Sequence, residues 1–371
     1  MSIPAVIICS PDCSTLRIAG LLVIDRLVVA AHRAGAQKIT LVSKKALPRL
    51  QRAGALGIAL ATVAAPPKLS GPALVLSDRL LVQTSDLKRL MAGQGRLVSR
   101  EGIPLPAGIL TELSERALED QLAGRPTVTA AGVAEPVAGT RAATAAARKL
   151  WASLTSSADG LVDKYFNRPV GRRLSKILAH TSISPNQVSV AATLLGLVSA
   201  WFFAQGDHRS ALWGAILLQM SAIVDCVDGD LARVLFKESR LGKWLDIIGD
   251  QVVHIGVFIC IGIGLYRAGS AAPVLLLAAS AVIGVVISFA IIIHGQLSLE
   301  NRRNTRLQKL IDATTNRDFS VLLILLVLAH KLPWFLWLTA IGVHVFWLLA
   351  LGVQFSNQPA AALKPDRENR A

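Results

Sequence analysis

Four aspartates in the stretch Asp225 to Asp250, DCVDGDLARVLFKESRLGKWLDIIGD, carry the strongest chemical signal in the chain. Asp225 and Asp228 lie three apart, and Asp246 and Asp250 lie four apart. Offsets of three or four put side chains on one face of a helix, so each of two helices presents a pair of carboxylates. Both pairs sit at the ends of strongly apolar runs, where an anion without compensating charge costs about 2.5–3.5 kcal/mol. Four such anions call for strong positive charge, and an all-oxygen donor set suits the hard divalent cations Mg²⁺ or Mn²⁺. Buried ion pairs tying two helices together are the structural alternative. They would need matching cations, yet Arg233 is the one basic residue inside the motif's first helix.

The full spacing is Asp225-x2-Asp228-Gly229-x2-Ala232-Arg233-x8-Gly242-x3-Asp246-x3-Asp250. It resembles the motif of the CDP-alcohol phosphotransferases, integral membrane enzymes that make phospholipid head groups and related phosphodiesters, and all eight positions are filled as that family fills them. The resemblance implies transfer of a phosphoalcohol group, phosphatidyl or phosphopolyol, from a CDP-linked donor to a hydroxyl acceptor with release of CMP. It implies two divalent ions held by Asp225, Asp228, Asp246 and Asp250, with Asp250 as general base. Nucleotide contacts would come from Asn186, Asp228, Gly229, Ala232, Arg233 and Gly242. Arg168, Arg302, Arg303 and Arg306 resemble an acceptor-phosphate pocket, although anchoring at a lipid surface explains such cations nearly as well. A polyol or inositol phosphate is the expected acceptor, and a homodimer the expected assembly.

Several apolar runs must hold these side chains. Residues 188–204, 211–234, 244–266, 273–293 and 333–353 read as spans, with 319–330 a short sixth that falls below the ~20 residues a bilayer needs. The first aspartate pair ends the second span and the second pair begins the third. Arg233, Lys237, Arg240 and Lys243 lie between those two spans, and Arg302, Arg303, Arg306, Lys309 and Arg317 between the fourth and fifth. The other connections hold only Arg209, Arg267 and Lys331. The positive-inside rule therefore predicts an inner-membrane protein with both termini and the active face cytoplasmic.

Composition agrees. Hydrophobic residues make up 53% of 371, and the net charge is +15. A mean hydropathy of +0.51 is too apolar for an ordinary soluble protein. Clustered cations favour anionic lipid or phosphate substrates; no groove-reading motif points to nucleic acid. Cys9, Cys13, Cys226 and Cys260 suggest no disulfide scaffold, and no N-terminal signal peptide is evident.

Ahead of the spans, residues 1–125 read as strands alternating with helices, which predicts a parallel α/β sheet. Strands are expected around 5–9, 38–42 and 72–78, and helices over 22–35 and 85–91. The stretch Ala19–Val42 resembles a unit of the sugar-phosphate nucleotidyltransferases, above all the inositol-phosphate cytidylyltransferase domain fused to some members of the membrane family. Asp78 falls where that family's metal-binding aspartate would lie. The glycine-rich phosphate loop is replaced by Ser10-Pro11-Asp12-Cys13-Ser14-Thr15, so a degenerate domain with a structural, dimerising or regulatory role is expected. Residues 126–158 read as linker and helix, 159–355 as the membrane domain and 356–371 as a cytoplasmic tail. Within the membrane domain, 159–180 forms a basic amphipathic segment suited to the bilayer interface, where Asn167 and Arg168 are placed to meet substrate phosphate. Ser184-Pro185-Asn186 marks the entry to the first span.

Three other readings keep the same carboxylates or none of them: a bifunctional enzyme that retains cytidylyltransferase activity, an ion-coupled transporter, and a non-catalytic scaffold.

Overall fold

The computed structural model describes residues 3–10, 15–155, 160–298 and 319–356. The chain divides into two compact units. The first comprises Met1–Thr155 together with Ser175–Ile183 and Asp230–Glu238; the second comprises Ser156–Leu174, Ser184–Gly229 and Ser239–Ala371.

In the first unit, β1 (Ala5–Ile8), β2 (Arg17–Ile18) and β3 (Leu21–Leu22) lead into α1 (Val23–Ala34). They are followed by β4 (Ile39–Val42), α2 (Gln51–Ala55), β5 (Leu60–Val63), β6 (Ala73–Ser77), β7 (Leu80–Val82) and α3 (Thr84–Gly93). The series ends with β8 (Arg96–Val98), β9 (Pro104–Leu110), α4 (Leu118–Gln121), β10 (Thr127–Thr129), β11 (Ala134–Pro136) and α5 (Gly139–Ala152). The main sheet has the order β10-β8-β9-β6-β1-β4-β5. At its centre β1 pairs in parallel with β4 and β6, and these strands read AVII, ITLV and ALVLS. Such near-continuous apolar runs are what strands covered on both faces require.

The sheet is mixed, which corrects the expectation of a parallel one. β9 runs antiparallel to both β6 and β8. The short β8–β9 connection is drawn into a turn by the Ser99 hydroxyl, which accepts the Glu101 and Ile103 amides, and so short a link joins antiparallel neighbours. The expected linker also gains structure. β10 joins the main sheet beside β8, β11 pairs with β7, and α5 begins at Gly139. Three-residue strands such as Thr-Val-Thr are too short to show a period in sequence.

In the second unit a π-helical turn, Asp163–Asn167, opens α6 (Arg168–Leu178). Then come α7 (Pro185–Phe203), α8 (His208–Val234), α9 (Arg240–Arg267), α10 (Val274–Ser298), α11 (Phe319–Leu328) and α12 (Leu332–Ser356). α7 starts on a capping box: Gln187 N–H donates to the Ser184 hydroxyl, Ser184 N–H donates to Gln187 Oε1, and Pro185 holds the first helical position. Ser184 is the cap. α7 and α9 approach closely at glycines. A Cβ on Gly249 would lie 2.4 Å from Thr193 Oγ1, and one on Gly242 would lie 2.8 Å from Asn186 Oδ1. Small residues at such crossings let two backbones meet in an apolar medium. Ala200, Phe203, Val257, Ile261, Ala281 and Leu336 form part of the apolar interior, while Leu194, Trp201, Trp213, Leu276 and Ile341 remain exposed. Helices apolar inside and out are suited to lipid.

Among the described residues, five helices are long and apolar enough to cross a membrane: Pro185–Phe203, His208–Val234, Arg240–Arg267, Val274–His294 and Leu332–Gly352. The expected sixth span corresponds to the shorter apolar helix Phe319–Leu328, and the residues ahead of it, like those after 356, lie outside the described residues.

The C-terminus of α8 is unusual. Lys237 N–H donates to Ala232 O and Phe236 N–H points to Arg233 O, the pattern of a Schellman cap. The cap position, usually glycine, is Phe236 at φ 55°. A side chain in that left-handed region costs about 1–2 kcal/mol.

Candidate active site

The last turns of α8 carry Asp225 and Asp228, and the first turns of α9 carry Asp246 and Asp250. Asp225, Asp228 and Asp246 each offer one carboxylate oxygen, and these atoms all lie within 4.8 Å of one another. At that separation two carboxylates repel by about 3.5 kcal/mol at an effective dielectric of 20. Asp228 is buried, so the cluster is only partly relieved by water, and a divalent cation would offset the repulsion. The donor set is all oxygen and anionic, and it fits Mg²⁺ or Mn²⁺. Asp250 stands outside the three and lines, with Asp225, a cavity of about 30 Å³.

One face of α7 completes the surroundings. The Ser189 hydroxyl makes a short hydrogen bond to Asp228 Oδ2, Thr193 lines the cavity with Ser221 and Ser320, and Asn186 abuts Gly242. A second, apolar cavity of about 480 Å³ opens beside Asp250, walled by Phe258, Phe289, Phe319 and Phe335 and studded with Gln251, His254 and Ser288.

Residues 182–353 match the CDP-alcohol phosphatidyltransferase family. The C-terminal part of this chain is a CDP-alcohol phosphatidyltransferase domain. A bifunctional IPC transferase and DIPP synthase of Thermococcus kodakarensis is 36% identical over 101 residues, 27% of this chain and 22% of that protein. An archaetidylinositol phosphate synthase of Pyrococcus horikoshii is 31% identical over 93 residues, 25% of this chain and 47% of that protein. The chain thus spans under half the length of either relative. The solved phosphatidylinositol phosphate synthase of Mycobacterium tuberculosis in apo form aligns with 52% of this chain and 100% of its own, at 16% identity and a TM-score of 0.40.

Within the domain, three of the four expected metal ligands converge and the fourth, Asp250, lies beside them. Asn186 and Gly242, both expected at the nucleotide, meet across α7 and α9. Gly229 and Ala232 follow on the same turns of α8. Arg233 is exposed and bonds to Asp230 at 2.9 Å. Arg168 is half-buried at the start of α6. Its neighbour Asn167 is not available to a phosphate: it is fully buried, donates to Asp163 Oδ1 and accepts from Gln219, which in turn accepts from Ser320. Arg302, Arg303 and Arg306 lie outside the described residues. His254, one turn past Asp250, packs on Phe258 and Phe319 while also lining both cavities.

Ser189, Thr193, Gln219, Ser221 and Ser320 were not anticipated. Asn186, Ser189 and Thr193 recur at offsets of three and four in an otherwise apolar helix, a polar stripe that periodicity alone could have exposed.

In the first unit Asp78 is nearly fully buried and accepts both the amide and the hydroxyl of Ser10, at 2.9 and 2.8 Å. Burial lifts its carboxyl above the usual range, against the Ser10 hydrogen bonds that lower it. Burial, and then the Asp78 charge, push the neighbouring Cys9 thiol up to about 12. Such a thiol is inert at neutral pH.

Proposed function

We propose that the helical unit transfers a substituted phosphate from a CDP-linked donor to the hydroxyl of a polyol or inositol phosphate. The convergence of Asp225, Asp228 and Asp246 next to Asp250 carries this reading. The acceptor oxygen bonds to the phosphorus that bears the donor's alcohol, the bond from that phosphorus to the CMP oxygen breaks, and the hydroxyl proton passes to Asp250. Asp225, Asp228 and Asp246 would hold divalent metal, and Asp250 would complete a two-ion set. Ions bound there would supply positive charge to the donor pyrophosphate and to the departing CMP. Ser189 keeps Asp228 aimed at the cluster. Gly229, Ala232 and Gly242 leave room for the nucleotide, Asn186 stands at its edge, and Arg233 offers a fork of donors to a phosphate.

The inositol phosphate in the Pyrococcus horikoshii relative's name favours that acceptor class, and Arg168, Arg302, Arg303 and Arg306 would meet its charge. The apolar cavity beside Asp250 is suited to the chain of a lipid substrate. The basic residues Arg233, Lys237, Arg240 and Lys243 favour a cytoplasmic active face, and the enzyme is taken to act as a homodimer. We assign no nucleotidyl transfer to the first unit: its loop after β1 has no glycine, and Asp78 is engaged by Ser10.

The test is CMP release by the purified full chain from radiolabelled CDP-diacylglycerol or CDP-inositol, with inositol phosphate as acceptor. Release should require Mg²⁺ or Mn²⁺, stop with EDTA and return when the metal is restored. Absence of CMP from every donor, or release undiminished in EDTA, would sink the proposal.

A further inference from the structure

The turn that joins the two aspartate-bearing helices belongs to the first unit, within Asp230–Glu238. Its geometry depends on Phe236, a non-glycine residue in the left-handed region at φ 55°. Three arginines of the first unit surround that residue. Arg33 Nη2 donates to the Phe236 carbonyl at 2.8 Å, and Arg52 donates to the same oxygen through Nε at 3.1 Å and Nη2 at 2.6 Å. Arg33 and Arg26 lie 5.0 and 5.8 Å from the centre of the Phe236 ring, within cation–π reach, and Arg33 also pairs with Glu238 at 2.8 Å.

These arginines are themselves fixed. Buried Arg26 donates to the carbonyls of Ile18 and Ala19. The Asp25 carboxylate accepts the backbone amides of Arg52 and Ala53, which sets the start of α2 and with it Arg52. Beside them, a Cβ on Gly20 would lie 2.1 Å from Ala179 O, so the β2–β3 turn meets the chain just after α6 with no room to spare. Three N–H donors from two arginines on one carbonyl exceed what ending a helix requires, since the Schellman hydrogen bonds already satisfy the Ala232 and Arg233 carbonyls of α8.

We propose that Arg52 and Arg33 are positioning residues for phosphotransfer. By clamping the Phe236 carbonyl they hold the turn in the form that brings Asp225 and Asp228 on α8 opposite Asp246 on α9. The first unit, without a phosphate loop of its own, thereby sets the geometry of the metal cluster. This rests on the function proposed above, and two readouts separate the two ideas: Mn²⁺ binding to the detergent-solubilised full chain, followed by electron paramagnetic resonance of free Mn²⁺, and Mn²⁺-dependent CMP release.

Arg52→Lys keeps the charge and much of the length but loses the fork. It should raise the Mn²⁺ concentration for half-saturation about fivefold, below the 10–100-fold that direct partners of metal ligands cost. The combined Arg33→Ala and Arg52→Ala variant should raise it further and lower kcat, with a smaller change in KM for the CDP donor. If the double variant does not accumulate, Arg52→Lys decides. Unchanged Mn²⁺ binding in Arg52→Lys, with unchanged kcat, overturns the proposal. A wild-type chain that binds Mn²⁺ but releases no CMP overturns the function, and a shift in Mn²⁺ binding in Arg52→Lys then still upholds the clamp.

Discussion

Two of the buried aspartates, Asp78 in the first unit and Asp228 in the second, have contrasting surroundings. Asp78 follows its strand with both oxygens taken by the amide and hydroxyl of Ser10. Asp228 meets one hydroxyl, from Ser189, and two further carboxylates within 4.8 Å. Both sites hide a carboxyl from water, but the first is met by donors from its own neighbourhood and the second is crowded by its own kind. A carboxylate's burial therefore says little about function until its nearest groups are named. Where those groups are more carboxylates, their mutual repulsion makes a site that a divalent cation would stabilise.

The contrast can be tested at both ends. The largest effect is expected from Asp228→Ala, which removes a ligand from the cluster: CMP release should fall at least about a thousandfold, since the ions contribute several kcal/mol to the transition state. Mn²⁺ binding should weaken in the same variant, and full activity there would remove Asp228 from the site. Asp250→Asn should be less severe, about a hundredfold from loss of the general base, and should weaken Mn²⁺ binding less than Asp228→Ala does, because Asp250 lies outside the close group of three. Equal loss of metal from both variants would place Asp250 among the primary ligands.

The smallest effect should come from Asp78→Asn, which ought to leave CMP release unchanged. Its signature lies in stability. Because burial raises the folded carboxyl's pKa, the folded state holds the proton longer than the unfolded chain does. Stability is greatest below the ordinary carboxyl range and is lost as pH rises through the raised folded value. Asp78→Asn should flatten that descent in chemical denaturation across mildly acidic pH. An active site lost along with Asp78 would mean that the two environments are not different in kind.

The chemistry was more legible in the sequence than its supports were. Asp225, Asp228, Asp246 and Asp250 announce themselves because charges at helical offsets are rare beside apolar runs. Ser189, Thr193 and Gln219 do not, since a single hydroxyl or amide barely changes the hydropathy of a span. β10 and β11 escaped because three-residue strands leave no period, and β9 because its direction follows from a turn rather than from its own residues. Asn167 illustrates the limit from the other side: its position next to Arg168 suggested a substrate contact, whereas burial made it a structural tie between the π-helical turn and α8.

Gly242, Gly249 and Gly256 recur every seven residues along α9, and the first two leave no space for even a methyl group against α7. Such a seam works like the teeth of a rack. Sliding α9 along its neighbour, or turning it by a single residue, would drive a side chain into the space that the Asn186 and Thr193 side chains fill. The height and azimuth of Asp246 and Asp250 are thereby indexed to α7, and whatever rearrangement accompanies turnover must be made by parts other than this pair of helices.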